Sequence, residues 1–246
     1  MIIGISGYMG SGKNLICKII QGLSVAKENN IENANYEWIE RFHLNSEWKQ
    51  KAFAGKLKQI ASLMTGIPVE KFEDQEFKKT YLGEEGDRKV NISTGYGAEG
   101  ALPFESVDDI LLWGDTGKPM TVREFLQKLG TEAIRDNLHP DSWVNALMVD
   151  YKEYKDIQAG SMYPVINKLP NWIITDLRFP NEARVIKQHQ GITLRVNRET
   201  HKVASLVHES EIALNDYEFD YVIDNNGTID ELIEKVREFL NKFNIL

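Results

Sequence analysis

Ile2-Ile3-Gly4-Ile5-Ser6-Gly7-Tyr8-Met9-Gly10-Ser11-Gly12-Lys13-Asn14-Leu15-Ile16-Cys17-Lys18-Ile19-Ile20 opens the chain with a short apolar run, a glycine loop and a second apolar run. Ile2–Ser6 has the composition of a buried strand, and the run from Leu15 to about Leu23 has helical character. Gly7–Asn14 fits the spacing G-x-x-x-x-G-K-[ST] at every fixed position except the last. Such a loop turns backbone N–H groups onto phosphate oxygens, the helix beginning there adds its positive dipole end, and Lys13 reaches the β- and γ-phosphates. Gly7, Gly10, Ser11, Gly12, Lys13 and Asn14 are therefore the expected nucleotide-phosphate contacts. An ordinary glycine-rich turn with a solvated lysine is the bland alternative. Asn14 stands where a Ser or Thr hydroxyl ordinarily meets Mg²⁺. Its amide oxygen is a hard donor that suits the same role or a metal-bound water, and capping of the local turn is the other reading.

Outward from the loop, strands and helices alternate. Lys49–Ala54 has strand character, and Lys56–Met64 reads as a helix with Leu57, Ile60, Ala61 and Met64 on one face. Residues 83–104 carry five glycines and Pro103 with few apolar anchors, the composition of an inserted loop or arm. Residues 110–120 resemble a small hairpin. Thr121 with Glu124 makes a capping box ahead of Val122, Phe125, Leu126, Leu129, Ala133 and Ile134 at helical spacing. A further helix near Asp141 carries Trp143, Val144, Leu147 and Met148. Trp172–Thr175, Ile192–Val196 and Tyr221–Ile223 read as strands. Asn181–His189 and 229–243 read as helices, the last with Leu232, Ile233, Val236, Phe239 and Leu240 as its apolar stripe. The pattern predicts an α/β fold with a mainly parallel sheet covered on both faces.

The 246 residues, 42% hydrophobic and 27% charged, suit one domain spanning 1–246 with an insertion at 83–104. A net charge of −8 argues against a nucleic-acid polymer as partner, because duplex binding needs a basic face. It leaves room for a small anionic substrate in a locally basic cleft. No run approaches the roughly 18–20 apolar residues of a membrane span, and the start has no basic leader, so a cytoplasmic protein is expected. The single cysteine, Cys17, falls on an apolar helix face and reads as a core thiol.

A phosphate loop gives no reaction by itself. Phe53-Ala54-Gly55-Lys56-Leu57-Lys58 is similar to the segment after the second strand in phage deoxynucleoside monophosphate kinases and dephospho-coenzyme A kinases. Thr121-Val122-Arg123 through Leu129-Gly130-Thr131-Glu132, followed by Trp143, closely resembles the phage kinases. Asp176-Leu177-Arg178 with Glu182 matches a D-x-R…E segment of the same enzymes, and Asp220–Gly227 looks like the last strand and loop of both families.

That resemblance implies a P-loop kinase core of about five parallel strands with substrate-binding and lid insertions. It also implies transfer of the ATP γ-phosphoryl to a deoxynucleoside monophosphate, with Mg²⁺ as cofactor and a homodimer as a possible assembly. By the same resemblance Lys13, Arg178 and Asp176 are catalytic, Asn14 and Asp176 face the metal, and Asn225 and Asn226 lie near the adenine. Lys58, Arg123, Gly130, Thr131, Trp143 and Glu182 would serve the acceptor. Plainer readings stand beside these: a helix N-cap for Asp176, a salt bridge between Arg178 and Glu182, a solvated helix position for Arg123, and core packing for Trp143. Arg195 and Arg198 follow a strand, where a lid arginine or a surface residue fits. His208-Glu209-Ser210 echoes the phage kinases without an assigned role. Rival functions are a dephospho-coenzyme A kinase-like enzyme and a non-catalytic nucleotide-binding module, the latter suggested by Asn14.

Overall fold

The computed structural model describes residues 1–82, 120–157, 165–199 and 212–246. These gather into two compact units, one of Met1–Phe53 with Trp143–Leu246 and one of Ala54–Ser142.

The first unit is built on a five-stranded, all-parallel sheet. Its strands are β1 (Ile2–Ser6), β2 (Trp48–Lys51), β5 (Asn171–Ile174), β6 (Ile192–Asn197) and β7 (Tyr221–Asp224), in the order β2-β5-β1-β6-β7. Every residue of β1 is buried, as a central strand covered on both faces requires. Ile3 pairs with Ile173 on one side and Ile192 on the other. The edge strand β2 buries Trp48 but exposes Lys49 and Gln50. It starts and ends earlier than the expected 49–54 run, because Phe53 already leads into the next helix.

Among the described residues, helices α1 (Lys13–Glu28), α2 (Tyr36–Phe42), α5 (Ser142–Met148), α6 (Pro180–Gln188) and α7 (Ile229–Lys242) accompany this sheet. Leu232, Ile233, Val236, Phe239 and Leu240 are all buried, so the stripe read from α7 is its core face. Cys17 is buried on α1, and burial pushes its thiol up to about 12, which keeps it protonated and unreactive. The sequence reading gave no element to residues 24–48, where α2 is started by the Asn35 side chain accepting from the Trp38 N–H. A separate antiparallel pair, β3 (Tyr154–Ile157) with β4 (Val165–Lys168), was likewise not anticipated.

The second unit holds α3 (Ala54–Thr65) and α4 (Val122–Gln127) around Ala61, Ile67, Phe72, Phe77, Leu82 and Val122. The capping box at Thr121 is present in both directions with Glu124. The expected face of α3 is only partly its buried face: Ala61 is buried, whereas Ile60 and Met64 are exposed. After Gln127 the chain does not continue as an α-helix but widens into π-type turns over Lys128–Asp136. Ala133, read as apolar-face at helical spacing, is exposed there because the wider turn shifts the register. The expected insertion at 83–104, the hairpin at 110–120 apart from Met120, and His208-Glu209-Ser210 lie outside the described residues. None of the described helices is long and apolar enough to cross a membrane.

Candidate nucleotide-binding site

Parallel strands deliver their carboxyl ends to one edge of a sheet, and a crevice forms where successive connections leave in opposite directions. Here β1 is that place, since the chain runs from β1 to β2 on one side and from β5 across to β6 on the other. Gly7–Asn14 follows β1, Asp176 follows β5, Arg195 sits in β6 and Asn225 follows β7. Four positions far apart in sequence therefore share one edge.

The loop itself is held from below. Gly12 lies at φ +100°, a conformation that side-chain-bearing residues rarely adopt, and a Cβ there would collide with Nδ2 of Asn225. That same Nδ2 donates to the Ser11 carbonyl at 2.8 Å. Asn225 is 8% exposed, so in this structure it braces the loop, while Asn226 accepts from the Glu199 N–H at 2.7 Å. The first turn of α1 has neither a capping side chain nor an acidic residue, which leaves its N–H groups to an anion. Lys13 Nζ donates to the carbonyls of Gly7 and Tyr8 at 2.7 and 2.8 Å, folding the cation over the loop. Ser11 Oγ is buried with no hydrogen-bond partner among the described residues. A buried hydroxyl in that state is a polar atom for which a bound anion is a fitting partner.

Arginines flank the loop. Arg195 donates from Nη1 to Ser6 Oγ at 3.1 Å, with its guanidinium 5.0 Å from the Tyr8 ring and 5.7 Å from that of Phe219. Arg198 Nη1 lies 3.5 Å from the Gly10 carbonyl. Both belong to the loop's surroundings.

On the β5 side, Asp176 accepts the Phe53 N–H at 2.8 Å. It does not cap α6, where the carboxylate of Glu182 takes the backbone N–H groups of Arg178 and Phe179 at 2.8 and 3.0 Å. Glu182 is 2% exposed, which makes this a buried helix-start clamp under the exposed Arg178. Trp143 is 5% exposed and packs in the core, the plainer of its two readings. Asn14 is exposed, and its Oδ1 accepts from Gln50 Nε2 at 3.3 Å; the N-cap position of α1 belongs to Gly12, so turn capping is not its role here. Gln50 Nε2 also reaches Thr175 Oγ1 at 3.3 Å, beside Asp176. Gln50 and Thr175 escaped the sequence reading, since neither belongs to a recognisable spacing.

In the second unit, Lys58 is half-buried and pairs with Glu73 at 2.6 Å. Arg123 Nη2 donates to Gln75 Oε1 at 3.3 Å on an exposed face. Gly130 is buried, and a Cβ there would come 2.8 Å from Leu57 Cδ2, so this glycine lies close against a side chain of α3. Thr131 follows on the π-type turns, half-buried.

Among the described residues no three His, Cys, Asp or Glu side chains converge, so no all-protein metal cage is formed there. Mg²⁺ needs none, because it keeps several waters and binds through one or two carboxylates together with substrate phosphates. Asp176 carries a carboxylate at the mouth of β5 and Asn14 an amide oxygen at the mouth of β1, hard oxygen donors that fit such an ion.

A five-stranded parallel sheet with this loop between β1 and α1 defines a P-loop α/β fold. The chain belongs to the deoxynucleotide monophosphate kinase family, phosphotransferases whose profile matches residues 97–236, more than half of its length. That match begins beyond Gly7–Asn14, so loop and family are independent findings. A protein of Acanthamoeba polyphaga mimivirus carrying that kinase name is 30% identical over 122 residues, 47% of this chain and 59% of the relative. The deoxynucleotide monophosphate kinase of Enterobacteria phage T4 is 25% identical over 157 residues, 64% of this chain and 56% of the relative. That of Escherichia phage RB69 is 23% identical over 150 residues, 61% and 56%. The matched regions span under three-fifths of each of these relatives.

Glu182→Ala tests the clamp. Removing a carboxylate from two backbone donors is expected to cost about 2–3 kcal/mol of unfolding free energy. Urea denaturation reads it. Unchanged stability with a raised KM for the acceptor would instead place Glu182 at the substrate.

Proposed function

We propose that the chain transfers the γ-phosphoryl group of ATP to a deoxynucleoside 5′-monophosphate, giving ADP and the deoxynucleoside diphosphate. The observation that carries this reading is the phosphate loop, braced by Asn225 and folded under Lys13, in a chain of the deoxynucleotide monophosphate kinase family. Lys13 and the N–H groups at the start of α1 bind the donor phosphates, and Arg178 meets charge on the transferring group. The acceptor phosphate is anionic at neutral pH, so the chemistry needs positioning and charge neutralisation rather than a nucleophilic side chain. Asn14 and Asp176 would hold Mg²⁺ and its waters, and that ion would supply charge neutralisation to the nucleotide phosphates. Lys58, Arg123 and Thr131 are the acceptor-side residues of this reading.

An ADP-release assay with dGMP, dTMP, dCMP, GMP and dephospho-coenzyme A as acceptors tests it. Turnover with a deoxynucleoside monophosphate supports the proposal. Turnover confined to dephospho-coenzyme A would make the acceptor a hydroxyl, and ATP affinity without turnover would make the protein a binding module.

Arg123→Met extends the test to the acceptor. Loss of a charge-assisted hydrogen bond to the monophosphate, roughly 1.5–3 kcal/mol, lowers kcat/KM for it about 10- to 100-fold. ATP affinity is expected to stay within about twofold on the same reasoning. Equal losses for both substrates would move Arg123 to the donor side.

A further inference from the structure

A hydroxyl at the end of a phosphate loop turns freely to face a cation. An asparagine amide cannot do so without cost, because one end is an acceptor and the other a donor, and the wrong rotation turns N–H groups toward the metal. Asn14 therefore needs something to choose its rotation. Gln50 Nε2 carries two hydrogens and lies 3.3 Å from Asn14 Oδ1 and 3.3 Å from Thr175 Oγ1. A single amide group thus ties the loop after β1 to the residue before Asp176, from the exposed edge strand β2.

We propose that Gln50 is a positioning residue that fixes the Asn14 amide with its oxygen toward the Asp176 side, where the cation accompanying ATP is held. This rests on the nucleotide-kinase reading. An sp² oxygen has two lone pairs, so the one left over after Gln50 is available to the metal or its water. Thr175 serves the same arrangement by holding the second hydrogen of Gln50, which keeps the fork from swinging away from the loop. Gln50 itself touches neither nucleotide nor metal in this scheme. Its side chain is solvent-facing on an edge strand, so replacing it removes the fork without opening a core cavity.

The test is calorimetric titration of ATP with Mg²⁺ and of ATP with EDTA, on the wild type, Gln50→Met, Asn14→Ser and the double variant. The wild type is expected to bind MgATP more tightly than metal-free ATP. Gln50→Met should weaken MgATP about tenfold, the equivalent of one hydrogen bond's worth of orientation, with metal-free ATP within about twofold. In the Asn14→Ser background the hydroxyl orients itself, so adding Gln50→Met should change neither affinity by more than about twofold. Equal losses in the two backgrounds, equal losses with and without metal, or an unchanged metal dependence in Gln50→Met would each overturn the positioning role. A wild type that binds no ATP in either condition would fail the kinase reading itself, and the Gln50 inference with it.

Discussion

Lys13→Met is expected to lose turnover on the order of 1000-fold or more while the protein stays folded, since removing a single preorganised donor from a transition state already costs about 100- to 1000-fold. The lysine's amine sits 2.7 and 2.8 Å from the carbonyls of Gly7 and Tyr8, folded over the loop from the start of α1. Methionine keeps the length of the side chain and its apolar stem but carries no charge. The two carbonyls it abandons are on a loop open to water, so the stability loss should stay under about 1–2 kcal/mol. Circular dichroism and a melting curve establish folding, and an ADP-release assay reads the activity. Turnover at the wild-type rate in a folded Lys13→Met protein would remove the loop from the catalytic scheme.

Phe239→Ala is expected to be the most destabilising of the substitutions considered, at about 3–5 kcal/mol. Phe239 is fully buried on α7, with its ring centroid 5.3 Å from that of Tyr221 on β7 and 5.3 Å from that of Phe243. Truncation removes a large apolar side chain and leaves a cavity that the sheet on one side and α1 on the other cannot close. The ring pairs add to this, since such contacts contribute beyond their buried area. Because β7 ends at the Asn225 brace, the damage should also reach the loop, raising the apparent Kd for ATP as the melting temperature is approached. Guanidinium denaturation followed by both circular dichroism and tryptophan fluorescence measures the loss. A change below about 1 kcal/mol would show that α7 does not anchor this half of the sheet.

Much of this was legible in the order of residues. Strand, glycine loop and helix at 2–28 follow from local chemistry: glycines permit the turn, and the apolar runs on either side have the lengths and compositions of a strand and a helix. The α7 stripe and the Thr121–Glu124 capping box are likewise short-range facts, written within four or five residues of themselves. Family likeness around Arg123 and Asp176 was readable for the same reason, as contiguous strings. By contrast, helical periodicity misjudged α3 and the stretch after Gln127. One apolar face can be only partly covered, and a π-type turn changes the spacing that the pattern assumes.

Local chemistry alone sets a glycine loop with its lysine, an unusual Asn14, and the faces of the long helices. The strand order β2-β5-β1-β6-β7, and with it which strand ends meet, is visible only in the folded chain. Asn225 reaches the Ser11 carbonyl across 214 positions, Gln50 reaches Thr175 across 125, and Gln50 reaches Asn14 across 36. Glu182 was legible as a matched acidic residue but not as a buried clamp on the start of its own helix. A polar side chain at a strand end looks the same in sequence whether it meets solvent, substrate or another loop. Its partner is set by which strands lie side by side, a property of long-range packing that no local pattern encodes.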